Sequence, residues 1–156
     1  MPPSHDQDIH QCIEEILIKS PSASSFTLRQ EVKMSVQGQC QYHHLLPFYE
    51  SGLVNDRADI YREIQLMLDK GYGFTLIAKL ISCDRFNYLQ VAQILNRLAR
   101  GLNHLEQARK CKLLSFGFKT VNDSDEQARI MTHLKNKGHR LTDVWQVIHD
   151  ERNGEI

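Results

Sequence analysis

Apolar residues recur along this chain at intervals of three and four, in short runs that each close on a glycine. Leu45, Leu46, Phe48 and Tyr49 precede Gly52, and Ile60, Ile64, Met67 and Leu68 precede Gly71. Leu105, Ala108, Cys111 and Leu114 precede Gly117, and Ile130, Met131 and Leu134 precede Gly138. Such spacing places the apolar side chains on one face of a helix. Glycine then supplies the left-handed residue on which a helix ends without a Cβ penalty. Helix starts are legible as well. Ser24 or Ser25 stands before Phe26, Leu28 and Val32; Asn55 or Asp56 before Ala58, Ile60 and Tyr61; Asn87 before Leu89, Val91 and Ile94. Asp123, Ser124, Asp125 and Glu126 open a run where acids suit the helix dipole. The pattern predicts helices over 10–20, 25–35, 41–51, 57–70, 74–83, 88–100, 103–116, 124–137 and 141–151. No segment alternates apolar and polar residues as a strand does. The expected fold is therefore all-α, with about nine helices. Pro47 falls inside the third of them, so that helix either starts near Leu45 or is kinked. The polar stretch 20–25 reads as a flexible turn.

One stretch is stated twice. Residues 67–80, with Lys70-Gly71 at their centre, return as 134–147 around Lys137-Gly138, at a constant offset of 67. Met67/Leu134, Phe74/Leu141, Thr75/Thr142, Ile77/Val144, Leu80/Val147 and Ile81/Ile148 coincide. Gly52 and Gly117, 65 apart, repeat a second stop. Recurrence of a helix, a glycine stop and a second helix predicts an array of helical hairpins. Tetratricopeptide units are excluded, because their tryptophan- and alanine-centred pattern is missing and no 33- or 34-residue half-period appears.

Composition narrows the function classes. Apolar residues make up 41% of the 156, which suits a repeat protein whose units bury only their mutual faces. No stretch approaches the ~18 apolar residues of a membrane helix, and the start has no signal-peptide pattern, so a cytoplasmic protein is expected. Cys12, Cys40, Cys83 and Cys111 lie far apart and read as reduced thiols. Cys40, His43 and His44 are the one cluster of ligand types, but a fourth metal ligand is missing nearby, so no metal is expected. No nucleophile elbow, zinc-protease helix, P-loop or dinucleotide fingerprint occurs, and no cofactor or small-molecule substrate is implied. Catalysis is not expected.

The zero net charge hides a gradient. Residues 1–56 carry 3 Lys/Arg against 7 Asp/Glu, residues 57–121 carry 11 against 5, and residues 122–156 carry 5 against 7. A basic centre between acidic flanks is a partner-facing pattern. Within it, Arg62 has no acid four residues away, Arg97 and Arg100 have none within four, and Arg109 and Lys110 have Glu106 alone. Arg62, Lys70, Lys79, Arg97, Arg100, Arg109, Lys110 and Lys112 are the candidate partner-binding surface. Gly52, Gly71, Gly117 and Gly138 are the structural helix stops. Tyr72 and His139, which follow two stops, should pack back on the preceding helix rather than contact a partner, and Trp145 reads as core, with an exposed docking aromatic as the alternative.

The stretch Tyr49 to Arg57 (YESGLVNDR), continued by Ile60-Tyr61-Arg62, Lys70-Gly71-Tyr72-Gly73 and Ile77, Lys79 and Leu80, resembles the second module of the RecX family. Asp125 through Lys137-Gly138-His139 to Val144, Trp145, Val147 and Ile148 resembles the closing helix pair of those proteins. The likeness covers roughly residues 45–150. The family's opening module is divergent here, with Ile18-Lys19-Ser20-Pro21 and Ser25 to Val32 in place of its usual motifs. The resemblance implies an elongated, curved array of tandem three-helix modules: residues 1–9 a disordered N-terminus, 10–56 a first module, 57–101 a second and 102–151 a third. It also implies a monomeric, non-enzymatic regulator that binds the RecA filament with its single-stranded DNA and mainly inhibits ATP hydrolysis, strand exchange and co-protease activity. Two alternatives are a helical nucleic-acid-binding module and a paralogue that keeps the fold but binds another protein.

Overall fold

The structure, a computed structural model, describes residues 5–36, 38–83, 85–118 and 123–152. Among the described residues it is all-helical, with no strand and nine α-helices. These are α1 (His5–Lys19), α2 (Ser25–Ser35), α3 (Tyr42–Glu50), α4 (Arg57–Asp69), α5 (Phe74–Ile81), α6 (Tyr88–Gly101), α7 (His104–Phe116), α8 (Ser124–Asn136) and α9 (Leu141–Arg152). No helix among them is long and apolar enough to cross a membrane. The described chain divides into two compact units, residues 1–60 with 83–92 and residues 61–82 with 93–156. Residues of α4 and α6 fall in both.

In the first unit α1 packs against α2 and α3. Ile9, Ile13, Ile16 and Leu17 of α1, Leu28 and Val32 of α2, and Leu45, Phe48 and Tyr49 of α3 form one core with Val54. Each such side chain contributes about 1.5–3 kcal/mol by leaving water. The helix starts at His5, which corrects the expected disorder of residues 5–9; residues 1–4 lie outside the described residues. Asp6 and Asp8 occupy the first turn, where acids complement the helix dipole, and Ile9 is fully buried. Stretch 20–25 is a hydrogen-bonded turn. Ser20 N–H reaches the Ile16 carbonyl at 2.7 Å and Ala23 N–H the Ser20 carbonyl at 3.0 Å, and Ser24 Oγ then caps α2 by accepting from Thr27 N–H. Helix α3 starts at Tyr42 and continues through Pro47 to Glu50, so of the two alternatives the start near Leu45 is excluded. Proline removes the donor that would have met the His43 carbonyl, and the buried Leu45, Phe48 and Tyr49 offset that loss.

Three helix starts of this unit converge on one carboxylate. Asp56 is fully buried. Its Oδ1 accepts from Ser25 N–H at 2.9 Å, and its Oδ2 accepts from Ser25 Oγ at 2.6 Å and Asn87 N–H at 3.0 Å. Tyr49 OH bonds the same Ser25 hydroxyl. Asp56 itself precedes α4, its carbonyl accepting from Ile60 N–H, and its own N–H donates to Gln90 Oε1 at 2.8 Å. Asn87 caps α6 through Leu89 N–H and Gln90 N–H. The positive ends of α2, α4 and α6 thus stabilise a charge that burial alone would make costly.

In the second unit α7, α8 and α9 pack pairwise around Ala108, Cys111, Ile130, Leu134, Val144, Val147 and Ile148. Asn103 caps α7 and Asp123 caps α8. The four glycine stops are the positive-φ residues among those described, yet they are not all alike. At Gly52, Gly71 and Gly138 the same pair of bonds closes the helix. Gly71 N–H meets the Leu68 carbonyl and Tyr72 N–H that of Met67; Gly138 N–H meets Lys135 and His139 N–H meets Leu134; Gly52 and Leu53 do likewise with Tyr49 and Phe48. This is the Schellman arrangement. Gly117 N–H reaches back to Leu113 instead, so the Gly52–Gly117 pairing holds in sequence spacing and not in bonding.

The two Lys-Gly stops, 67 residues apart in sequence, lock onto each other. Gly73 N–H donates to the Lys137 carbonyl at 2.7 Å and Thr75 N–H to the Gly138 carbonyl at 3.2 Å. His139 Nε2 donates to the Gly71 carbonyl at 2.9 Å. The first donors of α5 are therefore satisfied by the other half of the repeat. From α7, the buried Gln107 amide donates to the carbonyls of Leu68 and Tyr72 at 2.9 and 3.0 Å.

Candidate functional site

Arg62, Lys70, Lys79, Arg97 and Arg100 are exposed, and all belong to the second unit. Arg97 and Arg100, three residues apart on α6, share a helix face. Neither forms an ion pair or side-chain hydrogen bond among the described residues. Lys110 is half-buried. Lys112 is buried and leaves the candidate surface, which corrects the sequence reading, whereas Arg109 is half-buried and bonded to two carboxylates. Arg109 bonds Glu106 Oε1 and Asp150 Oδ2, each at 2.5 Å, and those carboxylates hold its pKa up while Arg109 holds that of Asp150 down. Lys112 is 5% exposed, and its ammonium caps the end of α7 by donating to the Gly117 carbonyl at 3.1 Å. Both cations serve the fold of the second unit. A spacing argument sees neither Asp150, 41 residues from Arg109, nor the carbonyl at a helix end.

The interlocked stops gather a group that spacing did not single out. Lys70 and Lys137, equivalent positions in the repeat, place their ammonium groups 5.9 and 5.3 Å from the centre of the same ring, that of Tyr72. Tyr72 is half-buried, Lys70 exposed and Lys137 half-buried. Neither lysine forms an ion pair among the described residues. Burial lowers the pKa of His133 and the charge of Lys137 adds to that effect; the same charge opposes the upward push of burial on the Cys111 thiol. His139, by contrast, is 7% exposed. Burial depresses its pKa, against the opposing pull of its Gly71 bond and of Asp143. Tyr72 is thus half-buried with both ammonium groups near its ring, and His139 turns inward as part of the lock.

The other titratable cluster lies in the first unit. His44 Nε2 meets Asp6 Oδ1 at 2.7 Å, and His43 Nε2 lies 3.7 Å from the same oxygen, so three metal-ligating atoms come within 4.8 Å of one another. Cys40 is not among them; its buried thiol, with a pKa pushed up to about 11 by burial, lies 3.9 Å from the Gln41 carbonyl. The tautomer argues against metal binding. His44 Nδ1 accepts from Gln41 N–H at 2.8 Å, so the neutral ring carries its proton on Nε2, the atom that a metal would need. A ligating histidine normally faces an acceptor with its second nitrogen, not a donor. The cluster reads as a tether between α1 and α3, and the bond from His44 keeps the Asp6 carboxyl below its ordinary range.

Trp145 is 59% exposed, which corrects its placement in the core. With Thr142, Gln146, Ile148 and His149 it borders an open cavity of about 270 Å³ on α9. Val144, Val147 and Ile148 take the core side of the helix. A tryptophan between two valine-bearing positions has no sequence mark that says which side it faces.

No family model matches the chain, and no curated protein or solved structure matches it either.

Proposed function

We propose that this chain is a non-enzymatic regulator of the RecX kind, which binds the RecA filament on single-stranded DNA and mainly restrains its ATP hydrolysis, strand exchange and co-protease activity. The supporting observation is where the resembling residues lie. Gly52, Gly71 and Gly138 end their helices with the same two bonds, and Asp56 of the Asn55-Asp56 turn is the buried carboxylate on which three helix starts meet. The residues that carry the likeness are thus the ones on which the helices turn.

In this reading the binding surface consists of exposed cations on the second unit. Arg97 and Arg100 are its clearest members, since neither is committed to a carboxylate among the described residues, and Lys70, Lys79 and Arg62 belong to it. Tandem three-helix modules, a monomeric state and a cytoplasmic location accompany the reading. Surface cations facing an anionic filament give binding that weakens with salt. The test is co-sedimentation with RecA filaments assembled on single-stranded DNA. The parent chain should pellet with the filament, and Arg97→Glu/Arg100→Glu should pellet several-fold less at equal concentration. Equal pelleting of parent and variant would remove the two arginines from the interface.

A further inference from the structure

Lys70 and Lys137 are brought together only because the two stops interlock. Each sits at the C-terminal cap of its helix, and the bonds of Gly73, Thr75 and His139 to the opposite stop carry both ammonium groups to Tyr72. The backbone beneath is fixed. The Gln107 amide holds the Tyr72 carbonyl from below, and a Cβ on Gly71 would meet Cys111 Cα at 3.0 Å. Two like charges therefore face one neutral ring on a rigid support, with no carboxylate paired to either among the described residues. The half-buried ring offers each ammonium only a cation–π contact in place of a carboxylate, and an anion near both would relieve their repulsion.

We propose that Lys70, Tyr72 and Lys137 form a contact site for a single-stranded nucleic acid, with the ammonium groups taking successive phosphates and the Tyr72 ring taking a base. An acidic peptide would use the lysines and leave the ring idle. A strand uses both, because every base presents a π-face and every link a negative charge. The site goes beyond regulation of a recombinase, since it needs no protein partner.

The test is a titration of fluorescein-labelled oligo(dT), about twenty nucleotides long, with the full chain at low salt, followed by anisotropy and repeated at several salt concentrations. Lys70→Gln/Lys137→Gln should weaken binding about tenfold and lower the slope of log K against log salt by about 1.4, or ~0.7 per lost phosphate contact. Tyr72→Ala should weaken binding by roughly tenfold with the slope unchanged, and Tyr72→Phe should restore it. Lys19→Gln/Lys33→Gln removes the same charge from α1 and α2 and should leave the slope intact. Far-ultraviolet circular dichroism establishes that each variant is folded. An unchanged slope in the Lys70/Lys137 variant would overturn the site, as would an equal loss in the Lys19/Lys33 variant, or no oligo(dT) binding by the parent. Binding of poly-glutamate that depends on both lysines, with oligo(dT) unaffected by their loss, would assign the surface to an acidic peptide instead. No recombinase is present, so failure here is distinguishable from failure of the regulatory reading.

Discussion

Asp56 shows how much one side chain can decide. Its two oxygens satisfy two backbone N–H groups and a hydroxyl in a fully buried site. Asp56→Ala strands those donors, each at about 1–3 kcal/mol, so a total loss of at least ~3 kcal/mol should appear as a lower urea midpoint. Asp56→Asn keeps the shape and should lose less. In the sequence Asp56 is one of two candidate caps for α4. Its bonds to Ser25 and Asn87 span 31 residues either way, which no local pattern records. His139 gives a second prediction at this scale. Burial lowers its folded pKa below the unfolded value of 6.5, so the unfolded chain binds the proton first. The stabilising contribution is complete above that value and declines as pH falls through it toward the folded pKa. The urea midpoint should drop between pH 7.5 and 5.5, and His139→Gln, which can still donate to Gly71, should flatten that drop.

Among the elements, the helices and their glycine stops were readable because they depend on local chemistry: spacing of three and four, and a φ that only glycine adopts cheaply. The interlock of α4–α5 with α8–α9 was not, although the sequence repeat marks its two halves. Repetition says that a unit recurs and is silent on whether the copies touch. Glycine identity carries the missing information. A Cβ on Gly73 would lie 2.4 Å from the Gly138 oxygen, and one on Gly138 would lie 2.3 Å from Leu76 N at a φ of +90°. Gly73→Ala should therefore cost about 1–3 kcal/mol by overpacking, and Gly138→Ala more, because strain adds to the clash. Gly101 ends α6 with nothing within 4 Å of its Cβ position, so Gly101→Ala should be neutral or stabilise by about 0.5–1 kcal/mol. Urea midpoints of the three variants measure this order.

On the scale of the molecule, the described residues are all-helical and the charge gradient draws the functional proposal to the exposed cations of the second unit. Spacing found five exposed cations of the second unit and wrongly included Lys112, whose partner is the carbonyl at a helix end; it saw the Glu106 partner of Arg109 but not Asp150. It placed Trp145 in the core for want of any mark of its outward face. It passed over Lys137, because the positive group around Tyr72 exists only once the stops have met. The regulatory account rests on the residues that turn the helices and on the cations left outside. The most direct measurement is the steady-state ATPase rate of RecA on single-stranded DNA, titrated with the purified chain to micromolar concentration. The account predicts a progressive fall in rate, blunted by Arg97→Glu/Arg100→Glu; a rate unchanged across the titration would contradict it.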